Sequence, residues 1–125
     1  MMFFERVGGR FIERTEERVV ATIPVVEEML QTDGVINGGM SAYIAETVAS
    51  DAAKVGVDTD RIQIMGMEVS STHLLPVFEG DTVRCVATPV RRGGKTQVWR
   101  IEQYRESDNE LFNVSQLIVY MKKRS

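Results

Sequence analysis

Histidine, tryptophan and cysteine each occur once in these 125 residues, and proline occurs three times. The single cysteine, Cys85, has no partner for an internal disulfide, which favours a reduced, cytoplasmic setting. The single histidine, His73, cannot build a multi-histidine metal site, and no Cys/His cluster accompanies it, so no metal is expected. No apolar run approaches the roughly 18 residues that a membrane span needs. The opening MMFFERVGGRF is interrupted by Glu5 and Arg6 and lacks the cationic-then-apolar order of a secretory leader. An excess of positive charge is also missing. The net charge is −3 and the pI about 5.2, which favours neither a nucleic acid nor an anionic membrane as partner. A glycine-rich phosphate loop, a dinucleotide fingerprint and a serine nucleophile elbow are all absent.

What is present suits one soluble domain spanning 1–125, with 43% hydrophobic and 26% charged residues. RVVATIPV (Arg18 to Val25) has a β-branched core and reads as a short strand. Pro24 fits the first turn of a short helix over Val25 to Gln31, which TDG (Thr32 to Gly34) ends. From Gly38 to Val55 the chain is rich in alanine and has no wide polar face. That predicts a long helix surrounded by protein. Four β-rich stretches follow, at Arg61 to Leu75, Asp81 to Val90, Lys95 to Glu106 and Glu110 to Met121. EGD, RRGG and SDN separate the later ones with turn chemistry. Short connections imply antiparallel neighbours, hence a four-strand meander after the helix. The fold class expected is α+β, one antiparallel sheet curled around one long central helix.

That helix carries the chemical question. Between Asp33 and Asp51 the only charged side chain is Glu46. No Lys or Arg lies within one helical turn of it, so no local partner is at hand. Burial without a partner disfavours a charged carboxylate, and one kept in such a place is a functional candidate. Asn37, Gly38 and Gly39 stand where the helix starts. Free backbone N–H groups and the positive end of the helix dipole point outward there, and glycine allows a ligand carbonyl to come close. Such a site stabilises an oxyanion. Within one helix, however, Gly38 and Glu46 are eight residues and about 12 Å apart. If both serve one carbonyl, a second subunit must bring its helix alongside.

DGVINGGMSAYIAETVAS resembles the signature of hotdog-fold acyl-CoA thioesterases of the PaaI-like, hydroxybenzoyl-CoA and dihydroxynaphthoyl-CoA type. Downstream, GMEVSSTHLLPVFEGDTVRCVATPVRRGGKTQVWRIE resembles the same family's run of Gly-x-Glu, His-x-x-Pro, Gly-Asp, Gly-[Lys/Arg]-Thr and Val-Trp-x-Ile-Glu. The resemblance runs from about Pro24 to Met121 and implies a hotdog fold. It also implies that Glu46 attacks a thioester carbonyl or activates a water, and that the Gly38 N–H polarises that carbonyl. Gln31 would help hold the reacting groups, and Ser50 would orient the carboxylate or the water. Gln31 and Gly38 of one subunit would then meet Glu46 and Ser50 of another, in a homo-oligomer that is at least a dimer and is expected to be a tetramer. The substrate implied is an acyl-CoA, with no metal or redox cofactor.

Two positions depart from the pattern. Asn37 stands where relatives usually have histidine. It can donate and accept hydrogen bonds but cannot titrate near neutrality, so it suits positioning rather than proton transfer. Leu75 stands where relatives often have arginine. His73 matches a family position and is a candidate contact to substrate, although a structural hydrogen-bonding role is the plainer reading. In RRGGK (Arg91 to Lys95), the cations Arg91, Arg92 and Lys95 are candidates for the phosphates of CoA. Two other functions stay open on the sequence: a hotdog hydratase or dehydratase, for which Asn37 removes the obvious acid–base histidine, and a non-catalytic acyl-CoA-binding protein.

Overall fold

Five alanines within Gly38–Lys54 keep one helix slim enough to lie inside a curved sheet, and the rest of the chain is arranged around it. The computed structural model describes residues 2–125. A short helix α1 (Phe3–Arg6) is followed by strands β1 (Arg10–Arg14) and β2 (Val19–Pro24), a 3-10 turn at Glu27–Met29, and the central helix α2 (Gly38–Lys54). Then come β3 (Ile62–His73), β4 (Thr82–Arg92), β5 (Thr96–Arg105) and β6 (Glu110–Lys123). The six strands form one antiparallel sheet in the order β1-β2-β4-β5-β6-β3. This is the hotdog arrangement that the sequence led us to expect.

Helix α2 begins at Asn37, whose side chain accepts a hydrogen bond from the Gly39 N–H, and ends at Val55. Gly56, at φ +79°, provides the left-handed residue that turns the chain away. Ile44, Ala45, Val48, Ala49, Ala52 and Ala53 are fully buried against the sheet. The sheet answers with Trp99, Ile101, Leu117 and Val119, and with Cys85 among the smaller residues. Burial pushes the Cys85 thiol far up from its ordinary pKa, so it packs as a small apolar group rather than reacting as a thiolate.

Polar side chains from the sheet fix the helix lengthwise. Gln103 Nε2 donates to the Ser41 carbonyl at 2.9 Å, and Gln97 Nε2 donates to the Ala53 carbonyl at 3.3 Å. Gln97 is itself oriented by the Trp99 indole N–H, which donates to its Oε1 at 2.7 Å. Arg92 donates to the carbonyls of Ala53 and Val55, and so covers the negative end of the helix dipole. The donors of both buried amides are satisfied and hold the helix in one position, although the Gln103 Oε1 acceptor is left buried without a partner among the described residues.

Three local expectations need correction. The strands after α2 are not a plain meander, because β3 crosses to the far edge and pairs with β6 rather than β4. The cause lies in its connection, residues 74–81, which is tied to the loop before α2. The Ile36 N–H donates to the Val77 carbonyl, Val35 bridges Phe78, and Val77 is fully buried. Pro24 closes β2 instead of opening a helix, and the expected helix over Val25 to Gln31 is only one 3-10 turn. The N-terminal elements α1 and β1 carry too little periodicity to have been read in advance. The helix is also not enclosed on all sides within one protomer, since Tyr43, Glu46, Thr47 and Ser50 remain partly exposed.

The tight approach of α2 to the sheet predicts that Ala49→Leu overpacks the interface. It should destabilise the protein by about 1–3 kcal/mol, read as a lower urea midpoint with an unchanged slope at fixed protein concentration.

Candidate active site

Strand β3 carries the device that organises the site. A bulge at Met67 shifts its register against β6, from Gly66 opposite Val119 to Glu68 opposite Ile118. Side chains on a strand alternate between faces, and one extra residue exchanges them. Cross-strand partners identify the inward face. Gly66 lies opposite buried Val119, Val69 opposite Leu117, Ser71 opposite Ser115 and His73 opposite Asn113. The bulge therefore lets Ile64 and Gly66 before it, and Ser71 and His73 after it, all face α2.

At the N-terminal end of α2, His73 lies against Gly38. A Cβ added at Gly38 would stand 2.6 Å from His73 Nε2. A buried network fixes the ring. Asn113 Oδ1 accepts from Gln103 Nε2 at 3.0 Å and from Ser115 Oγ at 2.7 Å. The Asn113 amide nitrogen is thereby left to donate to Ser71 Oγ at 2.9 Å and to His73 Nδ1 at 3.0 Å. With Nδ1 accepting, neutral His73 carries its proton on Nε2, the nitrogen beside Gly38. The Gly38 N–H has no hydrogen-bond partner among the described residues, because the Asn37 side chain caps Gly39 instead. A cleft of about 200 Å³ opens here, lined by Gln31, Gly38, His73 and Leu75 among others. The Gly38 N–H and His73 Nε2 thus border one cleft, with Gln31 in its lining.

Glu46 and Ser50 lie two and three turns farther along the helix. They line a different cleft, of about 290 Å³, with Met2, Tyr43, Thr47 and Lys54. Met2, the residue before α1, borders this cleft, and α1 is tied to Tyr43: the Phe4 N–H donates to the Tyr43 hydroxyl at 3.1 Å, and the Phe3 and Tyr43 rings meet edge to face. Glu46 is half-buried and has no hydrogen bond or ion pair among the described residues. Nearby Asp51 is already engaged by Arg14 at 2.7 Å. The protomer therefore brings Gln31, Gly38 and His73 together, and separately Glu46 with Ser50, but does not join the two groups.

The cations of the β4–β5 turn divide in the same way. Arg91 and Lys95 are exposed, whereas the Arg92 guanidinium is held by helix carbonyls and lies 5.4 Å over the Trp99 ring. A larger cavity of about 460 Å³, at the start of β3, is lined by Asp58, Asp60, Arg61, Lys123 and Arg124 and contains none of the site positions. The inward-facing Gly66 and the Asn113–Ser71 network lie outside the sequence-based expectations. A lone glycine within a strand pattern was the available signal for the first, since such residues mark bulges and close approaches. Nothing in the sequence signalled the second.

The sequence model of the thioesterase superfamily matches residues 33–112. ComA2 of Bacillus subtilis, provisionally named an esterase, is 38% identical over 104 residues, which cover 83% of this chain and 82% of that one. The 1,4-dihydroxy-2-naphthoyl-CoA hydrolase of Listeria monocytogenes is 29% identical over 120 residues, covering 96% and 95% of the two chains. Among solved structures, a thioesterase from Haemophilus influenzae superposes with a TM-score of 0.86 at 32% identity, covering 96% of this chain and 82% of that one.

Because Asn37 serves as the helix cap, Asn37→Ala should lower stability by about 0.5–2 kcal/mol. Asn37→Asp, which keeps the acceptor, should cost less. Denaturant midpoints of the two variants measured side by side check this.

Proposed function

This chain belongs to the thioesterase superfamily and is a thioester hydrolase, and from that premise we propose that it cleaves acyl-CoA to a free acid and CoA in a site shared by two copies. The observation that carries the proposal is the division of the site. Among the described residues, one cleft offers the Gly38 N–H without a hydrogen-bond partner, and another offers Glu46, a carboxylate in no ion pair. In this reading the thioester oxygen sits at Gly38, beside the His73 Nε2–H and the Gln31 amide. Charge developing on that oxygen in the tetrahedral intermediate is met by donors already in place. Glu46 of the other copy acts on the carbonyl carbon, as nucleophile or through a water that it deprotonates, and Ser50 orients the carboxylate or the water. Asn37, occupied with the cap, contributes by fixing the helix start rather than by transferring a proton.

Strand β3 supports a paired assembly. It is a sheet edge of twelve residues, with Met65, Met67 and Val69 exposed. A long apolar edge left open invites another chain. Pairing two β3 edges would continue the sheet and set the Glu46 side of one copy beside the Gly38 side of the other. The step from dimer to tetramer rests on the family resemblance alone. Arg91 and Lys95 are the cations free to attract the phosphates of CoA, while Arg92 anchors the helix. Among the described residues no helix is long and apolar enough to cross a membrane. The reading places the enzyme in the cytoplasm on the strength of its single buried thiol, and it invokes no metal or redox cofactor.

Thiol release from a panel of aromatic and aliphatic acyl-CoAs tests the proposal. Wild-type turnover should fall by at least about a hundredfold in kcat/KM for Glu46→Ala. Turnover that survives the substitution would remove Glu46 from the chemistry. Binding of CoA esters without turnover would make the protein a carrier instead.

A further inference from the structure

Among the described residues Glu46 has no hydrogen-bond or ion-pair partner, yet its side chain has a defined seat. An ideal Cβ built on Gly66 would stand 2.5 Å from Glu46 Oε2 and 3.6 Å from its carboxyl carbon. Real side-chain carbons do not approach that closely, so the carboxylate occupies the space that any other residue at position 66 would fill. The third neighbour of this virtual carbon, Leu117 Cδ1 at 3.8 Å, is in ordinary contact and leaves the carboxylate as the only obstruction. Gly66 faces α2 because of the bulge that begins directly after it.

We propose that Gly66 is a positioning residue for catalysis, its missing side chain forming the slot that aims the Glu46 carboxylate; the inference rests on the thioesterase reading above. Which atom must yield decides the outcome. The obstructed atom is the end of a flexible side chain with no hydrogen bond among the described residues, so a methyl group at position 66 displaces the carboxylate cheaply. The backbone, the helix and the hydrophobic core stay where they are. Attack on a thioester carbon tolerates little misplacement, and an error of about 1 Å costs on the order of a hundredfold in rate. Gly66→Ala should therefore separate rate from stability, which a glycine required for strand packing would not do.

The test uses full-length protein in four versions: wild type, Gly66→Ala, Glu46→Asp and the double variant, with Glu46→Ala as reference. Gly66→Ala is expected to lower kcat by about tenfold to a hundredfold, with KM, melting temperature and oligomeric state unchanged. Aspartate, shorter by one methylene, retreats from the added methyl. The Glu46→Asp change should therefore cost far less rate in the Gly66→Ala background than in wild type. Wild-type kcat retained by Gly66→Ala overturns the inference while leaving the thioesterase reading intact. Lost activity accompanied by a lower melting temperature, with additive effects in the double variant, also overturns it and makes Gly66 a packing residue. Indifference of turnover to Glu46→Ala, or no turnover by wild type, overturns both readings.

Discussion

The close approach of α2 to the concave face of the sheet is the constraint on which the rest of the structure depends. Alanines at 45, 49, 52 and 53 allow it, and larger side chains from the sheet fill the space that remains. A helix buried at this distance must also have its polar backbone ends supplied. Gln103 and Gln97 reach the Ser41 and Ala53 carbonyls from the sheet, while Asn37 and Arg92 serve the two ends. Helix position, and with it the positions of Gly38 and Glu46, is set by groups that cannot move independently.

Strand β3 converts this scaffold into a site. Without the Met67 bulge, strand parity would turn either Gly66 or His73 away from the helix. With it, one strand presents an imidazole to the helix start and an empty backbone position to the helix middle. The network behind His73 runs through Asn113, Ser115, Ser71 and Gln103, and Gln103 also holds the helix. Orientation of the histidine and placement of the helix are thus one structural fact. The carboxylate differs, because it has no hydrogen-bond partner among the described residues and is seated against Gly66 by packing.

Much of this was legible in the sequence, for identifiable reasons. The alanine-rich run from Gly38 and the β-branched alternation around Val83 to Ala87 are local signals, and both elements formed as expected. The place of β3 in the sheet was not legible. Its partner is decided by how residues 74–81 dock under the loop before α2, a contact between segments about forty residues apart. Pro24 suited a helix start locally, but pairing of β2 with β4 carried it into the sheet. At the site, Glu46 stood out because its neighbours are uncharged and Gly38 because glycines open the helix. Asn113 had no such mark, since a polar residue within a β-rich stretch is ordinarily an outward-facing one.

The central claim is that each active site takes Gly38 from one copy and Glu46 from another. Subunit mixing tests it most directly. Glu46→Ala protein and Gly38→Val protein, each inactive alone, would be unfolded together and refolded as an equimolar mixture. In a twofold assembly with random pairing, half the dimers are mixed and each has one intact site, so activity should return to about a quarter of the wild-type value. No recovery, with mixed dimers shown to form, would mean that each chain completes its own site and would contradict the account.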